Sequence, residues 1–203
     1  MKKTLYVLVA TFLLSASVFA VEPGDEYIDD YTYDQNGQGD QFIKFDISGC
    51  FPILSDDENS TLFHGGSSGT KLKPGFSFDL GYYRFLTKKF AVGGEVSFSS
   101  NWSIGDKLLT VIPFTGGVLF QPSVGKFEFP MILNIGIAYE SWANFRYFPG
   151  LAVKAEAGAY FRINDSWSVG LSSNYMWVPQ WTKDYPPVNG MFVTANLGGR
   201  FHF

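Results

Sequence analysis

The chain contains one cysteine, Cys50, and no long apolar run after residue 20. A single cysteine cannot form an internal disulfide, so Cys50 is expected to pack at a strand end. Without a run of roughly 20 apolar residues, the chain after residue 20 has no candidate helical span. Acidic residues outnumber basic residues by 19 to 15. Because an acidic chain gains little from phosphate contacts, nucleic acid is not predicted as a partner.

Residues with catalytic chemistry are also scarce. The chain has two histidines, His64 and His202. His64 lies near Ser67 and Ser68 in a glycine-rich segment, which leaves a base and nucleophile pair of a lipid-modifying enzyme as one hypothesis. However, no acid partner is specified there, and no metal-ligand or phosphate-binding motif occurs. The sequence therefore predicts no enzyme, no cofactor and no bound metal.

The first forty residues divide into two segments. Lys2 and Lys3 precede an apolar run over residues 5–19 and a small-residue pattern that ends at Ala20, as in a secretory signal peptide. An uncleaved anchor is the alternative, although the run is shorter than a spanning helix requires. We predict a signal peptide at 1–20 and an acidic periplasmic tail at 21–40. Calcium binding by this tail stays open, but its spacing matches no EF-hand loop.

Residues 41–203 are expected to form a barrel domain. The chain is 18% aromatic with 22 glycines, and about eight segments alternate apolar and polar residues with period two. Each segment is long enough for the roughly 9 to 11 residues of a tilted membrane strand. The last segment, 194–203, sets Leu197, Phe201 and Phe203 against Asn196 and Arg200. The predicted fold class is all-β, an eight-stranded antiparallel up-and-down transmembrane β-barrel.

Each predicted strand has an apolar face and a polar face, which we call the apolar and polar stripes. Their composition distinguishes a membrane barrel from a soluble one. Period two alone also fits a soluble barrel such as a lipocalin, whose polar stripe meets water. Here the polar stripe is mostly Gly, Ser, Thr and Asn, with one or two charges per strand, and the apolar stripe carries no charge. Lys or Arg facing lipid at mid-bilayer costs about 2 to 4 kcal/mol. This composition favours a barrel in the cell outer membrane, with outer-membrane lipid as its partner.

The connections alternate in length. Residues 87–89, 122–126 and 164–166 form short connections, whereas 54–70, 143–150 and 179–190 form long ones and 103–107 is brief. Short turns on one side and longer loops on the other are typical of outer-membrane barrels. With a periplasmic N-terminus, the long loops are predicted to lie outside the cell.

The interior of such a barrel is narrow. Eight strands leave room for side chains or one small ligand, so open diffusion of ions is not predicted. Unpaired buried charges are costly, so we expect the charged residues of the polar stripes to pair inside the barrel as a lumen polar network. These residues are Lys44, Asp46, Lys73, Asp79, Glu95, Glu128, Lys154, Glu156, Arg162 and Arg200.

Aromatic residues concentrate where predicted strands end. Such placement is typical of the aromatic girdles at the two membrane interfaces, although scattered core aromatics are the alternative. A C-terminal strand that ends on an aromatic residue is also expected to engage the barrel-assembly machinery. We assign interfacial and C-terminal insertion roles to Trp102, Trp142, Trp167, Trp177, Phe201 and Phe203.

Five segments together resemble one family, the OmpW-like small outer-membrane barrels, over residues 41–203. They are FIKF at 42–45 leading to Pro52, VIPFT at 111–115, GAYFRINDSW at 158–167, NYMW at 174–177 and GRF at 199–201. The chain departs from the family pattern in its acidic tail, in the brief loop at 103–107 and in its continuation to Phe203.

The resemblance implies a narrow route for small hydrophobic molecules with lateral exit into the bilayer. The exit would lie at Pro113, Phe114 and Thr115, because proline has no N–H to donate to a strand ladder; a bulge without traffic is the alternative. We expect an apolar outer mouth at Leu62, Phe63, Phe145, Tyr147 and Phe148.

A closed barrel is the second functional hypothesis. Such a barrel would act as an anchor whose extracellular loops mediate adhesion or protein interaction. The polar, glycine-rich residues 54–70 and the aromatic segment 144–149 support it, since exposed aromatics with an arginine are typical of interaction hot spots.

Overall fold

A computed structural model of the chain describes residues 36–53, 72–103, 105–143, 145–181 and 188–203. The described part is all strand and turn, with no helix long and apolar enough to cross a membrane. It contains eight long strands and one pair of two-residue strands. The strands are β1 (Gln41–Pro52), β2 (Gly75–Phe85), β3 (Phe90–Trp102), β4 (Leu108–Phe120), β5 (Ser123–Val124), β6 (Phe127–Glu128), β7 (Met131–Trp142), β8 (Phe145–Arg162), β9 (Trp167–Gln180) and β10 (Val188–His202).

The eight long strands close into an antiparallel barrel. Their order is β8-β7-β4-β3-β2-β1-β10-β9, and β8 also pairs with β9, which completes the ring. The first and last strands form one seam, where Gln41 N–H donates to the Phe203 carbonyl at 3.1 Å and Phe203 N–H donates back at 2.9 Å. Closure leaves no free edge among these strands, as a sheet that crosses lipid requires. The predicted fold class is confirmed.

Alternation along each strand separates two surfaces. On β1, Phe45 and Ile47 are exposed, whereas Lys44, Asp46 and Ser48 are buried. The same pattern continues on β10, where Leu197 is 67% exposed and Arg200 is fully buried. Because residues two apart share one face of a strand, the apolar stripes form the outer surface and the polar stripes line the interior. A soluble barrel has the opposite arrangement, with polar stripes outside and apolar stripes inside.

The two ends of the barrel differ. We call the end that holds the start of β1 and the finish of β10 the terminal end, and the opposite end the distal end. At the terminal end, β6 pairs with β8 in the same register as β7 does. Glu128 lies opposite Tyr160, and Met131 lies opposite Ala157. The predicted fifth strand is thus broken at residues 129–130, where Pro130 has no N–H to donate.

The distal connections require one correction. Residues 143–150 were expected to form a long loop, but β8 begins at Phe145 and pairs with the end of β7, where Trp142 lies opposite Phe145. β9 likewise extends to Gln180 and β10 begins at Val188. These strands are longer than the roughly 9 to 11 residues needed to cross a bilayer, so paired backbone replaces the predicted loop. The expected loop at 54–70 lies outside the described residues.

Two adjacent glycines of β4 provide a test of how closely the strands approach. A Cβ atom at Gly117 would lie 2.0 Å from the Leu133 carbonyl oxygen, whereas one at Gly116 would lie 3.5 Å from the Gly93 carbonyl oxygen. We expect Gly117→Ala to destabilise the refolded barrel by about 1 to 3 kcal/mol, the usual cost of overpacking. Gly116→Ala, the matched control, should stay within about 0.5 kcal/mol of the parent. Urea unfolding followed by heat-dependent gel shift measures both, and equal midpoints would contradict the predicted approach.

Candidate functional site

The barrel interior is stacked in layers, which β1 shows in order. From the terminal end, Phe42, Lys44, Asp46 and Cys50 all point inward and are fully buried. Phe42 belongs to an apolar cluster at the terminal end, and Cys50 belongs to another at the distal end. Lys44 and Asp46 lie between these clusters. The interior therefore changes from apolar to charged and back to apolar along the barrel axis.

The middle layer is a network of two lysines and four carboxylates, which we call the charge layer. Lys44 Nζ lies 2.5 Å from Glu156 Oε2 and 3.1 Å from both Glu95 Oε1 and Asp46 Oδ2. A second lysine completes the network through the same Glu95. The six members are Lys44, Asp46, Asp79, Glu95, Lys154 and Glu156.

Glu95 joins the two halves of the charge layer. Its Oε2 atom lies 2.9 Å from Lys154 Nζ, which also contacts Asp79 Oδ1 at 2.7 Å. Lys154 donates a third hydrogen bond to Ser97 Oγ at 2.7 Å. Four strands, β1, β2, β3 and β8, supply these groups. Cross-barrel ion pairs therefore close the lumen at this depth, since each lysine reaches a strand that is not its neighbour.

Tyrosine and amide groups add hydrogen bonds to the charge layer. Tyr83 donates its hydroxyl proton to Glu95 Oε1 at 2.9 Å and accepts from Asn134 Nδ2 at 2.8 Å. Tyr160 donates to Asp46 Oδ1 at 3.2 Å. Buried charges are retained in proteins when they are paired and hydrogen-bonded in this way.

A second charged group, the terminal cluster, lies at the terminal end. Arg162 Nη1 donates to Glu128 Oε1 and to Asn36 Oδ1, both at 2.8 Å. Arg200 donates to Gln121 Oε1 at 2.8 Å and packs its guanidinium 3.6 Å from the ring centre of Tyr160. Asn36 is 2% exposed, so the final part of the predicted tail contributes to this end of the barrel.

A cluster of buried apolar side chains lies toward the distal end, together with buried polar residues such as Ser99, Asn101 and Thr194. Its buried members are Cys50, Leu72, Leu109, Val111, Ala138, Trp142, Ala152, Met176, Val178 and Phe192, and we call them the distal apolar layer. Glu140 is 1% exposed at the same end and accepts a hydrogen bond from Gln180 Nε2 at 2.5 Å. The compartment beyond the charge layer therefore combines an apolar cluster with buried polar side chains, and Glu140 is its one buried carboxylate among the described residues.

The wall beside this compartment contains a gap in strand pairing. The partners of β3 and β4 run to Val96 opposite Phe114 and resume at Ser99 opposite Val111 in the same register. Residues 97–98 of β3 and residues 112–113 of β4 thus have no partner on the other strand, although neither described strand has an extra residue at this point. Pro113 explains the interruption because it has no N–H, although it keeps a partner, Ala138, on β7.

An apolar groove lies on the outer surface next to the gap. It has a volume of about 720 Å³ and is lined by residues of four strands. These include Ile43, Leu80, Tyr82, Val96, Phe114 and Thr115. Phe114 is exposed, whereas Thr115 is buried and donates its hydroxyl proton to the Glu95 carbonyl at 3.4 Å. Of the three predicted exit residues, Pro113 therefore lies at the gap, Phe114 lines the outer groove, and Thr115 contacts the backbone of Glu95 in the charge layer.

Of the other residues for which the sequence predicts a role, some lie where they were expected and others do not. Lys73 was expected in the lumen but is exposed and contacts Asp106 on the surface at 3.5 Å. Trp142 was expected at an interface but is 7% exposed and points into the barrel, because it shares the inward face of β7 with Glu140. By contrast, Trp102, Trp167, Phe201 and Phe203 lie on the outer surface. Trp177 is half-buried and donates to Asn189 Oδ1 at 3.0 Å.

The predicted outer mouth is only partly described. Leu62 and Phe63 lie outside the described residues, as does the side chain of Phe145. Tyr147 hydrogen-bonds the Trp181 backbone, and Phe148 is exposed. Sequence reasoning missed Gln180, which it placed in a loop, and Asn36, which it placed in the tail. Among the described residues, no group of His, Cys, Asp or Glu is arranged to hold a metal ion.

The charge layer provides a test of internal ion pairing. We expect Lys154→Met to destabilise the barrel by about 3 to 5 kcal/mol, because Asp79 and Glu95 lose a buried partner. Lys73→Met removes the exposed pair with Asp106 and should change stability by no more than about 1 kcal/mol. Urea unfolding of both refolded variants measures the difference. Equal stability would mean that the Lys154 network contributes no more than a surface pair.

The chain is similar to two proteins of Treponema pallidum (strain Nichols), both described as uncharacterized. The first is 29% identical over 177 residues, which cover 84% of this chain and 80% of the relative. The second is 24% identical over 174 residues, which cover 78% of this chain and 59% of the relative. The chain thus spans less than two thirds of the second relative.

Solved structures with a similar fold are outer-membrane and surface proteins. Neisserial surface protein A has a TM-score of 0.63 at 9% identity and covers 81% of this chain and 99% of its own. The outer membrane protein OprG of Pseudomonas aeruginosa has a TM-score of 0.53 at 15% identity and covers 83% and 98%. Ail, the attachment invasion locus protein of Yersinia pestis, in complex with the heparin analogue sucrose octasulfate, has a TM-score of 0.50 at 13% identity and covers 82% and 99%.

At these identities the structural likeness concerns the fold, which is that of small outer-membrane barrels. A protein-family model also matches residues 23–201, which is most of the chain. The chain therefore belongs to the family that this model defines, and its described part is a closed eight-stranded antiparallel β-barrel.

Proposed function

We propose that the chain is an outer-membrane barrel that admits small hydrophobic molecules at its distal end and releases them sideways into the bilayer. The distal end would face outward from the cell, and the C-terminal strand would engage the barrel-assembly machinery. The observation that carries the proposal is the gap in the β3–β4 ladder at Pro113. This is the route that the resemblance to OmpW-like barrels implies.

The position of the gap relative to the charge layer supports a sideways route. Glu95 of the charge layer lies opposite Thr115, one pair before the last partners on the terminal side of the gap, Val96 and Phe114. An apolar molecule that reached this depth would meet two lysines and four carboxylates. Displacing these paired charges would leave buried charges uncompensated, which is strongly unfavourable. The gap in the ladder is thus next to the depth at which the charge layer fills the interior.

Apolar side chains lie near the gap on both sides, although the inward residue of β3 at the gap is Ser97, which accepts a hydrogen bond from Lys154. Inside, the distal apolar layer includes Val111 and Ala138, which flank Pro113 on β4 and β7. Outside, Val96 and Phe114 line the apolar groove. Because apolar surface favours contact with other apolar surface over water, a hydrophobic molecule would remain in a favourable environment on this path. The buried side chains of the distal apolar layer must move aside for passage.

Substitution of Pro113 tests the proposal. Pro113→Val restores an N–H that can donate to β3, and we expect it to lower the rate of pyrene uptake by liposomes containing the barrel several-fold. Pro130→Val makes the same chemical change at the terminal end and should leave the rate unchanged. Fluorescence measures uptake against protein-free liposomes, and heat-dependent gel shift confirms folding. Unchanged uptake in folded Pro113→Val would refute lateral exit at this proline.

A second candidate function is a closed anchor whose loops bind a partner outside the cell. One observation favours it: buried side chains occupy the interior at the terminal, middle and distal levels of the described barrel. A structure of Ail, a similar fold, is a complex with a heparin analogue. The net charge of −4 makes a sulfated partner less suitable for this chain than for a basic one.

Deletion of residues 56–68 separates the two candidates. If the chain is a loop-presenting anchor, we expect the deletion to abolish adhesion of bacteria that display the barrel to an epithelial cell layer. The barrel itself should remain folded, because the deletion leaves β1 and β2 intact, and heat-dependent gel shift checks this. Adhesion that persists after the deletion would contradict a binding role for this loop.

A further inference from the structure

Glu140 is the one carboxylate of the barrel interior that has no cationic partner within the described residues. Asp46, Asp79, Glu95, Glu128 and Glu156 each lie within 4 Å of a lysine or arginine nitrogen. Glu140 instead has only the amide of Gln180, and its Oε1 atom has no hydrogen-bond partner. A buried, unpaired carboxylate carries a large desolvation penalty. Ionisable groups of this kind within a membrane are commonly functional.

Gln180 leaves a second acceptor at the same place. Its Nε2 atom donates to Glu140 Oε2 at 2.5 Å, while its own Oε1 atom is buried without a partner. The pair spans β7 and β9 across the width of β8. Two oxygen acceptors, Glu140 Oε1 and Gln180 Oε1, are therefore available to a hydrogen-bond donor beside the distal apolar layer.

The backbone around Glu140 is shaped to hold its carboxylate in the interior. The pairing of β7 with β8 shifts register between Ala138 and Glu140, as in a β-bulge, and bulges commonly re-aim side chains near functional sites. A Cβ atom at residue 150 would lie 2.6 Å from Glu140 Oε1. Gly150 therefore provides the space that this carboxylate oxygen occupies.

Glu140 also lies beside the proposed route. Its partner on β4 is Val111, and Val111 is the first β4 residue to regain a partner on β3 at the distal side of the gap. Two inward residues of β7 flank it, Ala138 toward the gap and Trp142 toward the distal end. A molecule that moved from the distal end to the gap would pass this acid–amide pair.

We propose that Glu140, oriented by Gln180, binds the ammonium group of apolar amines in the distal apolar layer. The inference rests on the proposed function and names its preferred substrate class. An ammonium group supplies both the missing positive charge and the N–H donors that the two free oxygens accept. A carboxylate group would be repelled, and an alcohol would supply one donor without charge.

Binding of three chain-matched probes tests this assignment. Isothermal titration of the refolded barrel near neutral pH compares hexylammonium, hexanol and hexanoate. We expect hexylammonium to bind about ten-fold more tightly than hexanol, the gain typical of a hydrogen bond to a charged group. Glu140→Gln, which keeps the shape and the contact with Gln180, should abolish this preference. Glu140→Asp should restore part of it.

The controls separate a specific site from attraction by any acid at the distal end. Asp106→Asn removes an exposed carboxylate near the same end and should leave the preference unchanged. Gln180→Leu should weaken hexylammonium binding while heat-dependent gel shift reports a folded barrel. Equal affinity for the three probes, or an ammonium preference that survives Glu140→Gln, would overturn the inference.

Uptake measurements on the same variants distinguish this inference from the proposed function. If pyrene uptake depends on Pro113 but the probes bind equally, lateral exit stands and the amine site fails. If hexylammonium binding depends on Glu140 but uptake equals that of protein-free liposomes, the site stands and the transport proposal fails.

Discussion

Lys44 and Glu156 meet at 2.5 Å inside the barrel although 112 residues separate them in the chain. This contact is possible only when β1 and β8, which are not neighbours in the sheet, face each other across a closed ring. Leaving either group unpaired in the interior would cost several kcal/mol. The charge layer and the closure of the barrel therefore depend on each other. A one-residue slip in the register of any contributing strand would turn a charged side chain toward lipid.

The charge layer also divides the interior of the barrel into two ends of different composition. Toward the terminal end the described interior contains an apolar cluster with the charged residues Arg162, Arg200 and Glu128, whereas toward the distal end it contains a larger apolar cluster and one carboxylate, Glu140. Among the described residues, the same construction of antiparallel strands thus produces a terminal side with paired charges and a distal side without them. Pro113 lies at the boundary between them, where the wall loses two pairs of partners. In the proposed route, a boundary of this kind would direct an apolar molecule sideways, because neither the axial path nor the water phase is favourable to it.

Much of this arrangement could be predicted from sequence, because period two has only two possible faces. The inward set of Lys44, Asp46, Asp79, Glu95 and Glu156 follows from alternation once the strands are identified. Alternation could not predict which of these residues contact each other, since pairing across the lumen depends on strand order and tilt. The sequence-based assignments of Trp142 and Lys73 were wrong for other reasons. Trp142 was assigned by residue type to the interface, although its position on β7 turns it inward. Lys73 lies before the start of β2, so the alternation of a strand does not apply to it.

The two kinds of buried carboxylate in this barrel have different physical meanings. Glu95 accepts from two lysines and a tyrosine, so its charge is satisfied within the protein and it serves to fix the strands. Glu140 accepts from one amide only, and a strand with an apolar residue there would avoid its desolvation penalty. Stability alone therefore accounts for Glu95 but not for Glu140. The carboxylate without a cationic partner lies next to the distal apolar layer, beside the gap at Pro113 and away from the layer that holds the barrel together. That combination fits the amine site that we propose within the proposed route.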